Sequence, residues 1–151
     1  GRGPFENYID RYSGAFIGRY EDKVENQFYW YIRPQETGNK TDVRWLTLLD
    51  SGGLGVKITG LQPISFSALH FSPEDLDPGL TRKLQHTIDI VPQKNIFLHV
   101  DLKQRGLGGD NSWGMYPHNE YRLLDKKYTY SYMIELVEKG SDKNDYLNSR
   151  K

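Results

Sequence analysis

Apolar side chains in this chain recur at every second residue, and a period of two is the signature of a half-buried sheet rather than a helix. The longest instance runs from Lys127 to Leu136, where Tyr128, Tyr130, Tyr132, Ile134 and Leu136 alternate with Thr129, Ser131, Met133 and Glu135. Asn95 to Lys103 places Ile96, Leu98, Val100 and Leu102 against Phe97, His99, Asp101 and Lys103. Leu54, Val56 and Ile58 alternate with Gly55 and Lys57, and Ile64, Phe66 and Ala68 alternate with Ser65, Ser67 and Leu69 up to Phe71. Val43–Leu49, Gln27–Ile32 and Ala15–Tyr20 are further candidates. Asp50-Ser51-Gly52-Gly53, between two of these runs, is a hairpin signal. The pattern predicts an all-β chain of about seven or eight strands, mostly antiparallel.

One stretch departs from it. Ser72-Pro73-Glu74-Asp75-Leu76 has an N-cap serine, proline at the first helical position and acids in the first turn. These predict a short helix near residues 73–77, closed by Asp77-Pro78-Gly79, with a further turn or two between Leu80 and His86. From residue 138 onward the sequence is polar and aperiodic, and residues 138–151 read as a flexible tail. No repeat or linker divides the rest, and 151 residues suffice for one domain with its own core.

Charge narrows the function classes. Twenty acidic and twenty basic side chains cancel, which favours neither nucleic acid nor an anionic membrane. No apolar run is long enough to span a bilayer as a helix. With no cysteine there is neither a disulfide framework nor a thiolate metal site, and the compartment stays open between cytoplasm and periplasm. The opening Gly1-Arg2-Gly3-Pro4 lacks a methionine and reads as part of a longer chain. His70, His86, His99 and His118 fall at no metal-ligand spacing, so no metal ligand is assigned. Neither a nucleophile elbow nor a P-loop is present, and no acidic pair can be singled out as a glycosidase acid and nucleophile. No catalytic residue is assigned.

Three segments stand out. Gly1 to Arg11 mixes turn formers with Arg2, Glu6, Asp10 and Arg11, and reads as a structural turn pinned by ion pairs and by Asn7 bonded to backbone. Residues 31–45 read as strand, polar loop, strand, with Gln35, Glu36, Asn39 and Asp42 available for a hydrogen-bond network. Asn39-Lys40-Thr41 formally matches a glycosylation acceptor. The third segment, Gly106 to Gly114, has glycine at four of nine positions and a tryptophan, Trp113, in the middle. From the residues, two readings of Trp113 stay open. It is a buried ring capping a sandwich, or a platform whose indole face stacks on the C–H-rich face of a sugar. Asp110 and Asn111 would then bond sugar hydroxyls or lock the loop.

In order and spacing, these segments resemble the C-terminal domain of the large bacterial β-galactosidases of glycoside hydrolase family 2. The resemblance rests on Gly1–Arg11, on Arg33 to Trp45, on Phe66-Ser67-Ala68-Leu69-His70-Phe71 and on Gly108-Gly109-Asp110-Asn111-Ser112-Trp113-Gly114. It implies a partial galactose-mutarotase-like β-supersandwich over residues 1–137, the C-terminal half of the family's domain. It implies further that the two catalytic glutamates, with their Mg²⁺ and Na⁺ ions, sit in a TIM barrel outside this sequence, and that this fragment itself carries no cofactor and is inactive alone. The implied partners are the remaining domains of the same chain, in a homo-oligomeric parent, and the galactoside or acceptor sugar. The family's tryptophan that stacks on the aglycone or acceptor sugar matches Trp113, with Asn111 and Asp110 shaping its loop. The rival readings are a freestanding carbohydrate-binding module, a structural or oligomerisation domain, and a mutarotase in its own right, which fold alone does not imply.

Overall fold

The computed structural model describes residues 1–77, 79–80, 85–111 and 113–138. The described residues form six strands. β1 (Arg2–Gly3) pairs antiparallel with β2 (Phe16–Ile17). β3 (Lys40–Leu49), β4 (Gly55–Leu69), β5 (Phe97–Asp101) and β6 (Tyr132–Val137) make one antiparallel sheet. The class is all-β, as the alternation predicts.

β4 is the spine of this sheet. It lies against β3 along one edge, while β6 and β5 share the other edge end to end. Two predicted strands, around Val56 and around Phe66, are therefore one strand of 15 residues. Parity is kept between Ile58 and Ile64, so the same face stays inward across the polar interruption. Pro63 has no N–H to donate, and it falls between the β6 register, which ends at Gly60, and the β5 register, which begins at Ser65. Opposite it the β3 register shifts twice, between Lys40 and Val43 and between Val43 and Trp45. The predicted hairpin is present: Asp50 Oδ1 accepts from Gly52 N at 2.8 Å and from Leu54 N at 2.9 Å, and Gly53 takes a φ of 84°.

Gln27–Ile32 is not a strand. Only Phe28 of its apolar residues is buried, its ring 4.4 Å from that of Phe71, so the segment is held by aromatic packing and not by a ladder. Ala15–Tyr20 contracts to the two residues of β2, and Lys127–Leu136 to β6. The predicted helix is present as α1 (Pro73–Leu76), with Asp77 as its C-cap and both arms of a capping box formed between Ser72 and Asp75. Pro78, residues 81–84 within the further turn predicted after Leu80, and residues 139–151 of the predicted tail lie outside the described residues.

Two apolar clusters result. Val43, Leu46, Ile58 and Ile64 form the main core on one face of the β3–β4 pair, with Leu48, Phe66, Leu98 and Val100 packed against it. Phe28, Leu69, Phe71, Leu76 and Ile90 form a second, where α1 and the 24–32 segment meet the end of β4.

Candidate functional site: the Trp113 loop

The segment opening the chain is a brace, as its residue types suggest. Asn7 is buried; its Nδ2 donates to the carbonyls of Phe5 (3.0 Å) and Arg2 (3.3 Å), and its Oδ1 accepts from Thr41 N at 2.9 Å. Asn39 Nδ2 returns a bond to the Asn7 carbonyl at 2.8 Å. A buried asparagine so engaged is no glycan acceptor in this fold, which removes the formal match at Asn39-Lys40-Thr41. Glu6, with 4% of its side chain exposed, accepts from Thr37 Oγ1 (2.9 Å), Gly38 N (2.8 Å) and the Tyr31 hydroxyl, and pairs with Arg11 at 3.4 Å. Burial, followed by this carboxylate, pushes the Tyr8 phenol up. Arg2 turns away from the segment to Asp42, and Glu36 accepts from Gln104, so Glu36, Asn39 and Asp42 do not join into one network.

Asp10 connects this brace to the glycine-rich loop 98 residues later. Its Oδ2 accepts from Gly108 N at 2.7 Å. A Cβ on Gly106 would meet the same carboxylate at 2.7 Å and Tyr121 Cβ at 2.8 Å, so the glycine lets the two segments close. Gly106 N donates to the Tyr121 carbonyl at 2.7 Å, and Tyr121 N to the His118 carbonyl at 2.9 Å, tying the two ends of the loop together. At Gly109 a Cβ would come within 2.3 Å of the Met115 carbonyl. The loop is thus built on close backbone approaches that only glycine permits.

Above this base the sequence-predicted residues come together. Asn111 Oδ1 accepts from Trp113 N at 2.9 Å, a side-chain turn that sets the direction of the tryptophan. Asp110 Oδ1 lies 2.7 Å from His118 Nε2, and this hydrogen bond, reinforced by the carboxylate's charge, holds the imidazole pKa above its ordinary 6.5. Trp113 itself is 91% exposed, so it caps no core among the described residues. Asp110 and Asn111 lock the loop. Sequence reasoning missed Asp10 and His118 as parts of the site, because nothing in the spacing shows which distant residues meet the loop.

Two cavities lie elsewhere. One of about 460 Å³ opens between residues 17–24 and β3, lined by Arg2, Tyr20, Lys40, Trp45 and Phe66 among others. One of about 180 Å³ is lined by Tyr12, Asn39, Thr41, Ser65 and Gln104 among others. Neither includes the Trp113 loop.

Residues 1–134 match the family model for the β-galactosidase small chain. The chain belongs to that family. This small-chain domain is 38% identical over 136 residues to a β-galactosidase of Priestia megaterium, covering 89% of this chain and 13% of that protein. It is 36% identical over 137 residues to a β-galactosidase of Streptococcus thermophilus (89% and 13%) and 35% identical over 122 residues to one of Halalkalibacterium halodurans (80% and 12%). The small-chain domain therefore spans about one eighth of the length of these curated relatives. The match takes in all four segments that carried the resemblance, the Trp113 loop included.

Proposed function

We propose that this chain is the C-terminal β-sandwich part of a retaining β-galactosidase acting on terminal β-D-galactosides of the lactose type. In this reading the catalytic glutamates belong to a barrel domain outside the sequence. The small-chain domain contributes Trp113 as a stacking platform for the aglycone or acceptor sugar. The observation that carries the proposal is a fully presented indole on a loop tied down from behind: its base is held by Asp10 and its turn by Asn111. A loop backbone so held loses little freedom on binding, which is what a platform needs.

The test is Trp113→Ala in the intact enzyme. A stacked ring contributes on the order of 1 kcal/mol beyond area burial, so acceptor-sugar affinity should fall about five- to tenfold, with transglycosylation reduced more than the first chemical step. Unchanged lactose KM and acceptor dependence would refute the role. Saturable lactose or galactose binding by this chain alone, abolished by Trp113→Ala, would instead identify a freestanding carbohydrate-binding module.

A further inference from the structure

His118 lies outside every segment that carried the resemblance, yet it touches the Trp113 loop at its tip. Its backbone is fixed independently of that loop's turn: the neighbouring Pro117 is buried, and the His118 carbonyl accepts from Tyr121 N at 2.9 Å. From this firm position the imidazole Nε2 reaches Asp110 Oδ1 at 2.7 Å, the short distance of a charge-assisted bond. Asp110 is followed by Asn111, whose side chain holds Trp113 N. The path from the imidazole to the Trp113 backbone is therefore one ion pair, one peptide unit and one side-chain turn.

We propose that His118 is a positioning residue for Trp113: through Asp110 it ties down the tip of a loop whose base Asp10 already holds, and the tie weakens when the imidazole loses its proton. The proposal rests on the reading of Trp113 as a sugar platform, and it adds a pH dependence that the platform alone does not have.

The charged groups acting on His118 are Asp110 across the loop and Glu120 in its own turn, and both favour the imidazolium. Arg122 is turned to Asn119 Oδ1 at 3.2 Å and over the Tyr116 ring at 4.9 Å, and Asp10 is engaged by Gly108 N. A group whose pKa is raised by a partner keeps the full interaction below its ordinary value and loses it as pH rises through the raised one. The tie is complete in mildly acidic solution and weakens at alkaline pH, where a neutral ring keeps at most a neutral hydrogen bond. Both partners are exposed, so the effect is small, about two- to fivefold in the population of the ordered tip.

The experiment uses the intact enzyme in four forms: wild type, His118→Gln, Asp110→Asn and Trp113→Ala. Two quantities are followed from about pH 6 to about pH 9. The first is the ratio of galactosyl transfer to a supplied sugar over transfer to water. Both products leave the same galactosylated enzyme, so shared chemistry cancels in the ratio. The second is hydrogen exchange of peptides within residues 106–122, corrected for the intrinsic pH dependence of exchange. Unchanged exchange in β3 and β4 shows that a variant has folded. In wild type the transfer ratio should fall about two- to fivefold across the range while the loop loses protection with the same midpoint. In His118→Gln and Asp110→Asn both dependences should be flat. Parallel profiles in wild type and both variants would overturn the proposal. Loss of the exchange dependence in His118→Gln, with a transfer ratio that Trp113→Ala leaves unmoved, upholds the tie and rejects the sugar platform. A ratio that collapses in Trp113→Ala, beside loop exchange that His118→Gln does not alter, does the reverse.

Discussion

Lys40 shows how far a residue's environment can depart from its type. It sits in a polar triplet that reads as surface, yet it is buried, with Nζ donating to Gln27 Oε1 at 2.9 Å and to the Gly38 carbonyl at 3.0 Å. Burial lowers its pKa to about 8, against smaller opposing pulls from Glu6 and Asp22. The unfolded chain then binds more protons than the folded one between about pH 8 and the ordinary lysine value near 10.5. Stability from this group therefore rises with pH across that window. Denaturant melts of wild type and Lys40→Met should converge or cross toward wild type between about pH 8 and about pH 10, by on the order of 1–3 kcal/mol. A constant difference between the two would show that Lys40 keeps an ordinary pKa. At this scale the sequence was partly legible. Asn7 as a backbone bracket and Trp113 as a loop aromatic follow from residue type. Asp10 and His118 do not, because each acts on a segment whose position only folding sets.

Among the elements, α1 was legible to its cap and β4 was not. The helix follows from local chemistry alone: Ser72 Oγ accepts from Asp75 N at 3.2 Å, and Asp75 Oδ2 accepts from Ser72 N at 2.7 Å and from Gln93 Nε2 at 2.6 Å. A helix of four residues depends heavily on such a cap, so Ser72→Ala should cost about 1 kcal/mol in a urea melt. Loss well below that would mean Gln93 and the apolar cluster under Leu76 hold the turn without it. β4 reads as two strands because glycine, glutamine and proline interrupt its alternation at Gly60, Gln62 and Pro63. Strand continuity is decided by the neighbouring strands, and β3 runs past the interruption on the far side. Gln27–Ile32 fails the other way: its pattern suits a strand, but no strand takes it as a partner among the described residues.

At the scale of the whole molecule, the described residues leave one end of the main apolar face uncovered. Val56 pairs with Leu136 and Ile58 with Ile134, so the side chains of β6 continue the rows that begin at Leu48 and Leu46 on β3. Leu46 and Ile58 are buried, whereas Ile134 is 62% and Leu136 84% exposed. β6 forms as a strand, and among the described residues no layer lies over its apolar side chains. The relatives this chain matches are about eight times longer than it is. Ile134→Thr with Leu136→Thr should reduce self-association of the isolated chain in sedimentation, and should lower the melting temperature of the intact enzyme. Unchanged behaviour in both would mean that the face stays open to solvent.

The sequence by itself determined the class of fold, the hairpin at Asp50, the helix cap and the loop that presents Trp113, since each depends on neighbours along the chain. Tertiary structure decided the joining of β4, the burial of Lys40 and Asn39, and the anchoring of the loop by Asp10 and His118. Those outcomes depend on which distant segments meet, and period, propensity and turn chemistry describe only what lies within a few residues.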